Sequence, residues 1–181
     1  VGSLKENIKP GNFVIIDQFI DRTFARKKTF FDEGIVAHVS MAKPVSEQLS
    51  KMILDAAPQN INISMGGTYL AMEGPQFSTL AESQLYRSWN CDVIGMTNMP
   101  EAKLAREAEI AYATIAMVTD YDCWHPDHDA VTVDNIIEVL NNNSNNAKSL
   151  ILNIIKNISQ KTWTWSDPSY SALENAIITP K

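Results

Sequence analysis

The sequence has few of the features that disulfide-stabilised and nucleic-acid-binding proteins need. Its 181 residues include two cysteines, Cys91 and Cys123, too few for a disulfide framework, although a single bridge between them stays open. The formal net charge is −6, so the chain lacks the basic excess that neutralises nucleic-acid phosphates. We therefore expect no nucleic-acid partner and a reducing, cytoplasmic compartment.

Long apolar runs and nucleotide-binding motifs are also missing. The longest runs, such as 110–118, fall short of the roughly 20 residues that a membrane-spanning helix requires. The sequence contains no Walker motif, no Gly-x-Gly-x-x-Gly and no nucleophile elbow. We expect neither a membrane partner nor a nucleotide cofactor.

The residues that are present fit one ordinary α/β domain over residues 1–181. Hydrophobic residues make up 45% and charged residues 20% of the chain, as in soluble globular proteins. Short apolar runs alternate with segments of helical spacing, which predicts a mostly parallel or mixed central sheet flanked by helices. The predicted strands lie at 13–16, 61–63, 69–72, 91–96 and 110–119, and the predicted helices at 44–57, 78–89, 100–109 and 133–158. Residues 17–31 are read as a loop, and the Asn-rich patch 141–146 as a kink or a polar face.

Polar and aromatic clusters follow three of these strands, at 73–77, 96–98 and 120–122. Ligands of parallel α/β sheets bind outside the carboxyl ends of strands, so the clusters predict a small-molecule site at one rim. Asp120 and Asp122 are carboxylates that can hold or deliver a proton when shielded from water, or else cap a turn. Phe77 is either a core aromatic or a ring that stacks on a flat ligand. Thr97 can offer a hydroxyl and a backbone N–H to an anion.

A metal site is the weaker interpretation of the run from Asp120 to Asp129. Its Cys-x-His-x-x-His spacing matches no closed structural zinc pattern, and we expect no metal. His125 and His128 are read as loop residues, and His38 is either structural or functional.

Four strings nevertheless closely resemble the 5′-methylthioadenosine phosphorylases of the trimeric purine nucleoside phosphorylase family. They are Val14 to Thr23 (VIIDQFIDRT), Glu73 to Phe77 (EGPQF), Met96 to Glu101 (MTNMPE) and Ala116 to Trp124 (AMVTDYDCW). The resemblance runs in order from Val1 to about Ile158, and residues 159–181 match only loosely.

The resemblance implies phosphorolysis of methylthioadenosine to adenine and 5-methylthioribose 1-phosphate, with phosphate as co-substrate and no cofactor. Asp120 would protonate or hydrogen-bond the imidazole edge of the purine, and Asp122 would receive its exocyclic amine. Phe77 would stack on the base, Met96 would lie against the ribose, and Thr97 would contact phosphate. Members that prefer 6-oxopurines carry Asn where this chain has Asp120, so the Asp pair implies an adenine site.

The resemblance also implies an apolar slot for the methylthio group and a homotrimer that shares its active sites. Val131, Val133 and Ile136 would line the slot, although the same residues fit the apolar stripe of a helix. His38 of the adjacent subunit would complete it, together with a residue near the carboxyl end, for which Ile178 is the best candidate.

The family's N-terminal portion, with its Gly-rich phosphate loop, an Arg-His pair and a phosphate-binding Thr, has no counterpart in this sequence. The chain starts at Val1, not at Met, so either that part is a second polypeptide of a cleaved enzyme or this sequence is a fragment. We expect an N-terminal partner polypeptide of the same enzyme. Three alternatives stay open: a related purine nucleoside hydrolase, a 6-oxopurine phosphorylase, and a non-catalytic nucleoside-binding chain.

Overall fold

The computed structural model describes residues 1–32, 34–126, 133–160, 162 and 164–178, with the side chains of 133–136 not described. The described residues form seven strands and four helices, with helices between successive groups of one to three strands. The strands are β1 Gly2–Ser3, β2 Phe13–Ile16, β3 Gln18–Asp21, β4 Ile63–Met65, β5 Thr68–Ala71, β6 Val93–Gly95 and β7 Thr114–Met117. The helices are α1 Glu47–Asp55, α2 Leu80–Ser88, α3 Glu101–Glu107 and α4 Val133–Gln160, and a short 3₁₀ turn covers Pro168–Ser171.

The strands form two sheets, with the orders β1-β6-β5-β3 and β4-β2-β7. β3, β5 and β6 run parallel, as do β2 and β4, whereas β1 and β7 pair antiparallel to their neighbours. The prediction of a mixed α/β architecture is therefore confirmed. The expectation of one central sheet is wrong in detail, because the strands bend and contribute to two.

The bend lies at Asp17 in one strand pair and at Gly66-Gly67 in the other. Asp17 separates β2 from β3, and its Oδ1 accepts the N–H of Gly67 at 3.1 Å. Gly66 has a φ of 91°, a conformation that glycine adopts without steric cost. Each chain segment thus leaves one sheet and enters the other within one or two residues.

The prediction of a loop over residues 17–31 is wrong for Gln18–Asp21, which form β3. The segment has a charged, partly exposed sequence, and it pairs with β5 alone at the edge of its sheet. Edge strands tolerate such residues because only one side is paired and buried. The strand predicted at 110–119 is also shorter than expected, since pairing with β2 is limited to Thr114–Met117.

The Asn-rich patch does not interrupt α4, which runs as one helix of 28 residues. Asn143 is 1% exposed, and its side-chain amide donates to the carbonyl of Val118 at 2.9 Å. The prediction of a kink is therefore wrong. The interpretation as a polar face is incomplete, because Asn143 is buried and contacts the segment after β7.

The core consists of apolar residues of β2, β5, β6 and the β7 region, packed against α1, α3 and α4. Both cysteines are free thiols, and burial raises the pKa of Cys91 to about 11. Within the described residues, no helix is long and apolar enough to span a bilayer.

Candidate active site

A cleft of about 320 Å³ opens beyond the carboxyl ends of β5 and β6, beside the segment that follows β7. It brings together five residues that the sequence singled out: Phe77, Met96, Thr97, Asp120 and Asp122. The other lining residues are Val1, Gly2, Tyr69, Met72, Ile94, Gly95, Thr119 and Leu140. The predicted convergence of three strand-end clusters is therefore observed.

The carboxylate of Asp120 has a fixed orientation at the floor of this cleft. Its Oδ1 accepts the backbone N–H of Asp122 at 2.8 Å, and its Oδ2 accepts the hydroxyl of Thr119 at 2.6 Å. A Cβ at Gly2 would lie 2.9 Å from Oδ1, so a side chain there would disturb the carboxylate. Carboxylate lone pairs remain for a ligand, since each oxygen accepts more than one hydrogen bond.

Asp122 is a partly buried carboxylate. Its Oδ2 is shielded from solvent and has no hydrogen-bond partner among the described residues. Burial raises the pKa of Asp122, and the nearby charge of Asp120 adds to the rise, while Ser83 and Ser78 act against it. The cleft therefore contains a carboxyl group that loses its proton at a higher pH than an ordinary aspartic acid.

Asp122 also has a φ of 54°, in the left-handed region that Asp and Asn enter more readily than most residues. This conformation turns the chain so that the N–H of Asp122 points back to Asp120. This hydrogen bond fixes the backbone of Asp122 relative to the carboxylate of Asp120.

Phe77 and Met96 form the apolar side of the cleft. The Phe77 ring is 62% exposed, which leaves its surface available to a flat ligand. A Cβ at Gly74 would lie 2.5 Å from the sulfur of Met96, which is too close for two atoms that are not bonded. Only glycine at position 74 allows Met96 to approach the 73–77 segment this closely.

A salt bridge holds the 73–77 segment in place. Glu73 Oε1 accepts the Arg26 Nε–H at 3.1 Å, and its Oε2 accepts the backbone N–H groups of Phe24 and Ala25. The Arg26 guanidinium also donates to the carbonyls of Glu73 and Met99. Arg26 thereby connects the segment that carries Phe77 with the one that carries Met96.

Thr97 differs from the prediction in one respect. Its backbone N–H, expected to be free for an anion, donates to the hydroxyl of Tyr69 at 3.3 Å. The Thr97 hydroxyl lies 3.1 Å from the same Tyr69 oxygen. In this structure, the side-chain hydroxyl is the donor that Thr97 can direct at an anion.

His38 and Ile178 lie away from this cleft. His38 lines a separate cavity of about 500 Å³ together with Lys43, Arg106 and the 168–176 segment. The N–H of His38 donates to the carbonyl of Ala176, and Ile178, 67% exposed, donates its N–H to Val36. The structure thus brings these two predicted residues together, but not with Asp120.

The predicted methylthio slot falls largely outside the described part of the chain. Val131 lies outside the described residues, and so do the side chains of Val133 and Ile136. Leu140, one turn along α4 from Ile136, lines the cleft. Leu140 and Tyr69 were missed because each reads as an ordinary core position; the helical spacing from Ile136 could have pointed to Leu140.

Three residues of the metal hypothesis, Asp127, His128 and Asp129, also lie outside the described residues. The His125 ring stacks at 4.7 Å from Tyr121 and lies 3.1 Å from Glu6. Across the described residues, no three His, Cys, Asp or Glu side chains are grouped to hold a metal ion.

Comparison with known proteins shows that this chain is similar to S-methyl-5′-thioadenosine phosphorylases. The chain is 61% identical over 180 residues to an S-methyl-5′-thioadenosine phosphorylase of Rhodospirillum rubrum, covering 99% of this chain and 61% of that protein. It is 57% identical to the enzyme of the same name from Bradyrhizobium diazoefficiens, covering 98% and 62%. The chain therefore spans less than two thirds of the length of these relatives.

This chain is also similar to solved structures of methylthioadenosine phosphorylases. A methylthioadenosine phosphorylase from an antarctic soil metagenomic library superposes with a TM-score of 0.91 at 47% identity, covering 99% of this chain and 63% of that one. A mutant adenosine/methylthioadenosine phosphorylase of Schistosoma mansoni in complex with methylthioadenosine gives a TM-score of 0.81 at 32% identity, covering 90% and 63%. The sequence model of the phosphorylase superfamily matches residues 1–156. This chain belongs to the phosphorylase superfamily.

Proposed function

We propose that this chain supplies the base, ribose and methylthio sites of a 5′-methylthioadenosine phosphorylase. The single observation that carries the proposal is the cleft in which Asp120 and Asp122 face Phe77, Met96 and Thr97. The names of the relatives support the same substrate.

In the proposed reaction, the bond between the sugar C1′ and the purine N9 breaks, and its electron pair stays on the base. Asp120 donates a proton or a hydrogen bond to the imidazole edge of the departing purine, which becomes more basic as the bond breaks. A phosphate oxygen then bonds to C1′ and gives 5-methylthioribose 1-phosphate. The protein's task is positioning and electrostatic stabilisation, with no covalent enzyme intermediate and no cofactor.

Asp122 receives the exocyclic amine of adenine in this proposal. Its raised pKa and its fitness for the role have the same physical origin, since a buried carboxylate oxygen that lacks a hydrogen-bond partner among the described residues gains strongly from a ligand donor. Phe77 stacks on the purine and Met96 packs against the ribose. Val131, Val133 and Ile136 line the methylthio slot.

Phosphate needs more positive charge than this cleft offers. Among the thirteen described residues that line it none is Lys, Arg or His, and Thr97 is the proposed phosphate contact. A dianion bound by a hydroxyl alone would stay better solvated in water. We therefore propose that an accompanying N-terminal polypeptide contributes cationic phosphate-binding groups.

The complete unit is proposed to be a homotrimer. His38 and Ile178 line a different part of the molecule from Asp120. They can contribute to a methylthio slot if they belong to the slot of an adjacent copy.

Intact mass spectrometry of the native preparation, followed by an adenine-release assay with and without phosphate, tests the proposal. We expect a companion polypeptide and release of adenine from methylthioadenosine only when phosphate is present. Release without phosphate would instead identify a hydrolase. Binding of methylthioadenosine without turnover in the assembled protein would identify a non-catalytic nucleoside-binding chain.

A further inference from the structure

Tyr69 is a buried tyrosine beside the cleft that the proposed reaction does not use. It belongs to β5, is 1% exposed, and packs against Phe19 with the ring centroids 5.9 Å apart. Phenylalanine would fill such an apolar position as well, so the hydroxyl requires a separate explanation.

The Tyr69 hydroxyl contacts Thr97 twice. It accepts the backbone N–H of Thr97 at 3.3 Å and lies 3.1 Å from the Thr97 hydroxyl. Since the phenol oxygen already accepts the backbone N–H, its own proton can be donated to Thr97 Oγ1. The Thr97 hydroxyl then keeps its proton for a group in the cleft.

The Tyr69 hydroxyl can approach Thr97 because residue 95 is a glycine. β5 and β6 pair in parallel with Ala71 opposite Gly95, and a Cβ at Gly95 would lie 2.0 Å from the Tyr69 hydroxyl oxygen. Only glycine leaves room for the phenol at this point. The sequence therefore combines a tyrosine and a glycine to bring one hydroxyl to Thr97.

We infer that Tyr69 is a positioning residue that orients the Thr97 hydroxyl towards the phosphate co-substrate. The inference rests on the proposed function, in which Thr97 contacts phosphate. Tyr69 acts through Thr97: it holds the threonine rotamer and leaves the threonine proton directed at the anion.

The test measures initial rates of the native assembly with Tyr69→Phe, varying phosphate and methylthioadenosine separately. Loss of one orienting hydrogen bond should raise the KM for phosphate about three- to tenfold. The KM for methylthioadenosine should stay within about twofold, because Phe77 and the aspartates are untouched. A merely structural role would not separate the two KM values.

Two further variants sharpen the test. Tyr86→Phe is the matched control, because Tyr86 is also a buried tyrosine, 5% exposed on α2, and it should leave the KM for phosphate unchanged. In a Thr97→Val background, Tyr69→Phe should cause no further rise in that KM, since the group that it orients is gone.

The outcomes separate this inference from the proposed function. If the unmodified assembly releases adenine with phosphate and Tyr69→Phe changes neither KM, or both alike, the positioning role is wrong and the proposed function stands. If the unmodified assembly shows no phosphate-dependent release, the proposed function is wrong, and this role is wrong with it.

Discussion

Asp120 is the residue on which the proposed purine preference depends. Replacement by Asn keeps an acceptor for the N–H of Asp122 but removes the ionisable carboxyl group. We expect Asp120→Asn to lower methylthioadenosine turnover by about 10²- to 10⁴-fold, the range of a lost acid–base contribution. The variant should also shift preference towards 6-oxopurine nucleosides such as methylthioinosine.

Steady-state kinetics with methylthioadenosine and methylthioinosine measure this shift. Asp120→Ala is the control, because it removes the acid without offering an amide to the base. It should lose turnover with both substrates. An unaltered ratio of kcat/KM values in Asp120→Asn would contradict the specificity argument, and unchanged turnover in Asp120→Ala would contradict the catalytic role.

Asp122 should make the free energy of unfolding depend on pH. Its pKa is raised in the folded protein from an ordinary value near 3.8, so above that value the folded state binds more protons than the unfolded state. Asp122 therefore makes stability fall as pH rises from about 4 towards its raised pKa, by at most about 1.4 kcal/mol per pH unit. We expect Asp122→Asn to remove this fall, because the amide does not ionise and Asn tolerates the left-handed backbone.

Urea unfolding of both proteins between pH 4 and pH 7 measures the difference. Asp167→Asn is an internal contrast of opposite sign. Burial alone would raise the pKa of Asp167, but its hydrogen bonds to Ser169 and the charge of Arg106 lower it. Its contribution is therefore present above about pH 4 and lost as pH falls below that value, so the Asp167→Asn comparison extends to about pH 3. Parallel stability profiles for Asp122→Asn and the unmodified chain would refute the raised pKa of Asp122.

At the scale of the element, α4 depends on one buried asparagine. Asn143 donates to the carbonyl of Val118, and this contact joins α4 to the segment between β7 and Asp120. Asn143→Ala removes a buried hydrogen bond and leaves a small void, so we expect a loss of about 1–2 kcal/mol in the free energy of unfolding.

Asn142→Ala is the matched control, since Asn142 is exposed on the same turn of the helix. It should be neutral or slightly stabilising because alanine is the better helix former. Chemical denaturation of the two variants gives the comparison. Equal effects at both positions would mean that Asn143 is no more than part of the polar face.

Elements with a clear pattern were predictable from the sequence, and those set by tertiary contacts were not. The continuous apolar run 13–16 predicted β2, and helical spacing predicted α1 and α2 to within a few residues. β3 was missed because its four residues, Gln18–Asp21, show no alternation of apolar and polar residues and lead into a charged segment. The clustering of Asp120 with Phe77 and Thr97 followed from the strand-end rule, whereas the Tyr69 contact depends on the register that puts Gly95 beside the phenol.

At the scale of the whole molecule, the separation of His38 from Asp120 favours an active site shared between two copies over one formed within a single copy. Each lines its own cavity, so a single copy does not use both in one pocket. In the proposed homotrimer, each complete site has Asp120 from one copy and His38 from its neighbour. His38→Ala and Asp120→Ala assemblies should both be impaired, the former by about tenfold or more in kcat/KM for methylthioadenosine.

Mixed assemblies of these two variants, formed by dissociation and reassociation, should regain activity. A His38→Ala copy retains Asp120, and an adjacent Asp120→Ala copy retains His38, so some interfaces in the mixture rebuild an intact site. A mixture without reassociation is the control and should show only the average of the two parents. Activity that stays at this average after verified subunit exchange would mean that His38 acts within its own copy or not at all, and the shared active site would be excluded.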